Sequence, residues 1–169
     1  LPNVKSFIES VDILNDEKVR NLFTSLNIYS ENELRANRII MAERYSNIMG
    51  IEVRTLLEMT RKDVIPSMCA ELGFYGETAQ SLPKAAVPSF VSSRIKELSD
   101  LIESTEASCA ALEKAFSALP SDIFARGRKI YDEIGPLMKD VRKNIDTYEE
   151  KASRRFYKLP LYEDILFDL

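Results

Sequence analysis

Two apolar repeats of the same period, separated by a three-residue break, constrain the fold of this chain more than anything else in it. Val91, Ile95, Leu98, Ile102, Thr105, Cys109, Leu112, Phe116 and Leu119 follow one another in alternating steps of four and three. Only an α-helix places such positions on one face, and a helix marked this way must bury that face against another. Pro120-Ser121-Asp122 interrupts the pattern, and Phe124, Gly127, Tyr131, Ile134, Met138, Val141, Ile145 and Tyr148 resume it. A break so short allows little except an antiparallel return, so the spacing predicts a helical hairpin over 89–119 and 122–155. Leu112 sits on its seam as a candidate packing residue.

Upstream, Phe7, Ile8 and Val11 mark one short helix, and Val19, Leu22, Phe23 and Leu26 mark a second that Asn15 can cap, both within 1–29. Ser30 and Glu33 have the spacing of a capping box and open a long helix over 30–73. Its apolar stripe is expected through Leu34, Met41, Tyr45, Ile48, Leu56, Met59, Val64, Met68 and Leu72, widened by Ile40, Ile51, Val53 and Leu57. Pro66 and Pro136 lie inside helical patterns and are expected to kink rather than end them. Gly73, Gly76, Pro83 and Pro88 punctuate a stretch without period, which predicts a loop over 74–88. The last segment, 156–169, is aromatic, and Tyr162, Leu166 and Phe167 are its candidates for docking on a protein surface. The expected architecture is therefore all-α, one domain over 1–169. It is an antiparallel bundle of about three long, kinked helices with short N-terminal helices and an aromatic C-terminal tail.

The same residues exclude a good deal of chemistry. The chain has no histidine, which removes the commonest general base and transition-metal ligand. Cys69 and Cys109 are far apart and on helical patterns, as small buried thiols would be. The 5 glycines never cluster into a phosphate-cradling loop. No catalytic, cofactor-binding or metal-binding residue is therefore assigned. A net charge of −4 speaks against nucleic acid as a partner, and no apolar run approaches the ~20 residues that span a bilayer. Leu1-Pro2, without an initiator methionine, reads as the start of a piece of a longer chain. Glu52 falls on an otherwise apolar helix face. A buried carboxylate there calls for an arginine from another helix, and Arg142 is a candidate partner, as are Arg94, Arg126 and Arg128.

Taken in order, several short motifs resemble the C-terminal region of type III glutamine synthetases. Leu1-Pro2, Leu22-Phe23, Ser30 with Glu33-Leu34, Glu43 with Tyr45, and Ile51-Glu52 with Thr55 are similar to successive motifs of that region. So are Ile65-Pro66, Pro136-Leu137-Met138 with Val141-Arg142 and Asp146, and the ending Leu159-Pro160-Leu161-Tyr162 with Leu166-Phe167. Phe156-Tyr157-Lys158 departs from the family, which has Trp and Pro there. The resemblance implies a parent enzyme that ligates ammonia to glutamate using ATP and Mg2+, with the catalytic carboxylates in an upstream domain. It implies a cytoplasmic setting, and as partners the chain's own catalytic domain and neighbouring subunits of a homo-oligomer. A stand-alone helical interaction or adaptor module, and a small helical enzyme or ligand-sensing bundle, are the alternatives.

Overall fold

The computed structural model describes residues 4–167, with the backbone alone for Ala85, Tyr162, Glu163 and Phe167. Among the described residues every element is helical: α1 (Phe7–Asp12), α2 (Glu17–Ser25), α3 (Glu31–Met59), α4 (Ile65–Ser81), α5 (Ser89–Ser117), α6 (Ile123–Lys129), α7 (Gly135–Glu149) and α8 (Tyr162–Phe167). The all-α architecture with long, kinked helices is thus as the periodicity requires. Leu1-Pro2, which opens the resemblance, lies outside the described residues.

The helix starts follow from side chains able to accept an orphan amide. Ser6 accepts from the amide of Glu9, and Asp122 accepts from Ala125 at 2.8 Å. Ser30 and Glu33 form the expected box: the Ser30 amide donates to the Glu33 carboxylate at 2.8 Å, and the Glu33 amide donates back to Ser30 Oγ at 3.3 Å. The cap of α2 is Asp16, not Asn15. Asn15 is wound into a short 3-10 turn, whereas Asp16 is extended and accepts from Lys18 and Val19. Asn27 ends that helix at φ 51°, a conformation asparagine tolerates better than most residues.

Both internal prolines are accommodated in the same way. A π turn, Thr60–Val64, precedes Pro66, and another, Ile130–Ile134, precedes Pro136. The amide of Ile65 donates to the carbonyl of Thr60, and that of Gly135 to Ile130, each reaching five residues back. The wider turn moves the preceding carbonyls away from the pyrrolidine ring, which would otherwise clash with the carbonyl four residues earlier. Sequence predicts the kinks; the π turns come from the structure.

Two boundaries and one buried face differ from the sequence expectation. Residues 74–81 are helix, not loop, so Gly73 and Gly76 lie inside α4. Rings of Phe74 and Tyr75 pack at 5.4 Å, and Phe74 meets Phe156 at 5.7 Å. Such contacts outweigh the roughly 1 kcal/mol each glycine costs a helix. The helix stops at Leu82, which is extended as a residue before proline must be. Second, α7 ends at Glu149 and the chain then turns, so the hairpin's second arm is shorter than 122–155. Third, the buried stripe of α3 is displaced by one or two positions from Met41, Tyr45 and Ile48. It runs through Leu34, Ala42, Ser46, Gly50, Val53 and Leu57, continuing to Thr60, Val64 and Met68. Small residues at 42, 46 and 50 allow close helix approach, which an apolar count alone does not register.

Residues up to Arg54 with Lys114–Pro136 form one compact unit, and Thr55–Glu113 with residues from Leu137 onward form another. In the first, Ile8, Val11, Leu34, Ala42, Val53, Ile130 and Ile134 make the core. Gly127 is required there, because a Cβ would stand 2.3 Å from Ile8 Cδ1. The predicted seam residue Tyr131 is exposed, and Ile130 takes the buried place instead. In the second unit, Val64, Met68, Leu98, Cys109, Leu112, Val141, Ile145 and Tyr148 are buried. The antiparallel return of α7 against α5 is fixed by Asn144 Nδ2 donating to Ser108 Oγ at 3.1 Å and Arg94 Nη2 donating to the Lys151 carbonyl at 3.2 Å.

Candidate functional site

The most developed polar arrangement lies in the second unit and centres on Glu71. Its position follows from the buried stripe: counting on from Val53 through Leu57, Thr60, Val64 and Met68, the next seam place is 71. Glu71 is 1% exposed and Arg94 8%. Arg94 Nε and Nη2 both donate to Glu71 Oε1, at 3.2 and 2.9 Å, while Tyr148 Oη (3.1 Å) and the amide of Ser153 (3.3 Å) donate to Oε2. All the acceptor capacity of the carboxylate is thus directed at four donors from three stretches of chain, which makes so buried a charge tolerable. Glu97 then receives Arg94 Nη1 at 3.2 Å and Lys151 Nζ at 2.6 Å. Burial pushes the Tyr148 phenol well above its ordinary range, and the adjacent Glu71 carboxylate adds to the effect. Tyr148 therefore acts as a fixed hydrogen-bond donor, not as an acid.

The network continues toward the C-terminus. The Tyr148 and Tyr157 rings meet edge to face at 5.5 Å, and Tyr157 Oη donates to Glu149. Arg142 bonds Asp146 at 2.7 Å and Glu149 at 3.0 Å. Glu52 is exposed on α3, in the first unit, where its charge, after burial, helps to push the Tyr45 phenol upward. The buried ion pair that sequence reasoning placed on Glu52 and Arg142 is therefore formed by Glu71 with Arg94. The seam was read one residue out of place, and continuing it from Val53 would have found Glu71. This cluster ties the segment after α7 to the middle of the chain, and its buried members Glu71, Arg94 and Tyr148 present no reactive group to solvent.

Solvent-facing apolar surface is the other feature. In the first unit α2 buries none of its residues, and Leu22, Leu26 and Ile28 are 57%, 60% and 53% exposed. Ile40, Met41, Ile48 and Ile51 of α3 are exposed too, beside Phe7, whose ring stacks on Tyr45 at 5.2 Å. In the second unit Leu112 is fully buried, and Leu166 of α8 is exposed. The side chains of Tyr162 and Phe167 lie outside those described. Arg154 holds Asp164 at 3.0 Å, so α8 is tied to the segment before it by charge.

Cys69 is exposed, contrary to the expectation of a buried thiol, whereas Cys109 is buried, and burial raises its thiol above the ordinary value, opposing thiolate chemistry. Among the described residues no cluster of three or more Cys, Asp or Glu could hold a metal, and no helix is long and apolar enough to cross a membrane.

Comparison with known proteins agrees with the motifs. Residues 1–82 match the family described as the glutamine synthetase C-terminal domain. A type-3 glutamine synthetase of Dictyostelium discoideum is 26% identical over 176 residues, covering 99% of this chain and 24% of that relative. A glutamine synthetase of Butyrivibrio fibrisolvens is 27% identical over 184 residues, covering 100% and 25% respectively. The chain thus spans about a quarter of the length of the curated relatives it matches.

Proposed function

We propose, from the chain's place in the C-terminal region of the type III glutamine synthetase family, that it is a non-catalytic helical domain that packs against the rest of a glutamine synthetase. The observation that carries this reading is α2 with the turn that follows it: Leu22 in the helix, and Leu26 and Ile28 just past its end, are all exposed. A helix of nine residues is too short to persist in water on its own merits, and its apolar face gains nothing from solvent. Burying three such side chains against a partner would contribute about 1.5–3 kcal/mol each. Since relatives carry about three quarters of their length outside the matched region, the partner is that remainder, in the same or a neighbouring cytoplasmic subunit. ATP, Mg2+ and the ligation of ammonia to glutamate belong to that remainder under this reading. This chain supplies a helical support whose second unit is braced by the Glu71 cluster.

The test is a long glutamine synthetase chain carrying this domain, with Leu22→Ser and Leu26→Ser introduced together. Light scattering should show smaller assemblies, and ligase activity should fall with assembly. Wild-type size and wild-type activity would remove the reading and favour a stand-alone interaction module.

A further inference from the structure

A cleft of about 240 Å³ opens in the first unit beside α3, and its two charged lining residues, Arg54 and Arg126, are both cationic. No carboxylate lines it, and among the described residues neither guanidinium is ion-paired. Arg126 is oriented by its Nε, which donates to the Pro120 carbonyl at 2.8 Å, leaving its terminal nitrogens free to donate elsewhere. Arg54 lies over Gly50: a Cβ there would stand 3.7 Å from both of its terminal nitrogens and 3.5 Å from Phe116 Cζ. The absent side chain is what keeps this space open.

Ser46 supplies the independent sign that something belongs here. It lines the cleft, is 6% exposed, and its hydroxyl has no hydrogen-bond partner. The other buried helical hydroxyls among the described residues, Thr60 and Thr105, do not behave this way, nor do many exposed ones. Thr60, Ser67, Thr78, Thr105 and Ser108 each donate to the carbonyl four residues back, at 2.6–2.9 Å. Ser46 makes no such bond, so a buried donor is left open beside two unpaired guanidinium groups. Buried polar groups without partners are rare and call for an explanation, and an acceptor supplied by a bound ligand is one.

We propose that this cleft binds a small oxyanion, carboxylate or phosphate, held by Arg54 and Arg126 and receiving the hydrogen of Ser46 Oγ. Guanidinium groups suit both anions, through paired N–H donors. The cleft has room for phosphate or a short dicarboxylate. Phe116 gives the cleft an apolar wall against which methylene groups of a carboxylate would rest.

The experiment titrates the 169-residue chain with inorganic phosphate, acetate and glutarate, followed by amide NMR shifts and calorimetry. Saturable shifts centred on Ser46, Gly50 and Arg126 are expected. Arg54→Gln, at an exposed position, should weaken binding about tenfold, the scale of one charge-assisted bond. Ser46→Ala should weaken it several-fold while leaving the fold intact, since it removes an unpaired hydroxyl. Glutarate tighter than phosphate identifies a carboxylate site, and the reverse a phosphate site. Absence of saturable shifts with all three anions overturns the proposal, as does binding that Arg54→Gln leaves unchanged.

Discussion

Arg94 grips one oxygen of Glu71 with two of its nitrogens, and Tyr148 and the Ser153 amide take the other oxygen, so that no acceptor of the carboxylate is left to water. Removing one partner of such a pair costs more than removing both, because a buried charge is left short of its main partner, with only Glu97 and a carbonyl still beside Arg94. Glu71→Ala is expected to destabilise the chain by about 3–5 kcal/mol, whereas Glu71→Met with Arg94→Met recovers most of the loss. Urea unfolding of the two variants measures this. Equal destabilisation by the single and the double change would show that the charges themselves are not what matters.

Gly127 faces Ile8 so closely that an alanine Cβ would lie 2.3 Å from Cδ1 and 2.6 Å from Cγ1. Gly127→Ala is therefore expected to lower stability by about 1–3 kcal/mol, despite alanine's better helix propensity. In an Ile8→Ala background the offending atoms are gone, and the same change should become neutral or favourable. A double-mutant cycle by thermal unfolding reads the coupling directly.

Asp12 accepts from Arg38 at 2.6 Å and Arg128 at 2.8 Å. Burial pushes its carboxyl upward, but hydrogen bonds and charge from the two arginines outweigh burial and hold it below its ordinary 3.8. A carboxyl depressed in the folded state contributes stability that is complete above the unfolded value and is lost as pH falls through the folded one. The stability advantage of the wild type over Asp12→Asn should accordingly be constant near neutrality and shrink below the ordinary value of 3.8. A difference that persists undiminished at lower pH would assign the effect to packing.

Leu112→Glu places a carboxylate at a position with no exposure, facing the hairpin seam. The expected cost is several kcal/mol, enough to unfold a marginal domain at room temperature. Circular dichroism at 25 °C should show loss of helix, or a much reduced melting temperature.

The hairpin was legible because its seam residues are large and apolar: Leu98, Leu112, Val141 and Ile145 announce themselves by spacing. The first part of α3 was not, because its buried side is built from Ala42, Ser46 and Gly50 while Met41 and Ile48 face solvent. A pattern reader who weights size follows the wrong face there, and so misplaces the buried acid on Glu52. Glu71 could have been found only by trusting the period over the polarity of the residue. Gly73 and Gly76 misled in the opposite way, since ring contacts from Phe74 and Tyr75 carry the helix through them. The Ser46 cleft had no sequence signal, since an unpaired hydroxyl is a matter of coordinates.

A π turn is a helix holding one residue more than its ladder requires. Thr60–Val64 and Ile130–Ile134 each place that surplus just ahead of a proline. Deleting one residue from either stretch would rewind it to a regular helix and return a carbonyl beneath the proline ring. Replacing the proline alone would leave a surplus residue with no reason to be there. The extra residue and the proline are thus a linked character: along a lineage, insertion and proline can be gained or lost together cheaply, and separately only at a cost.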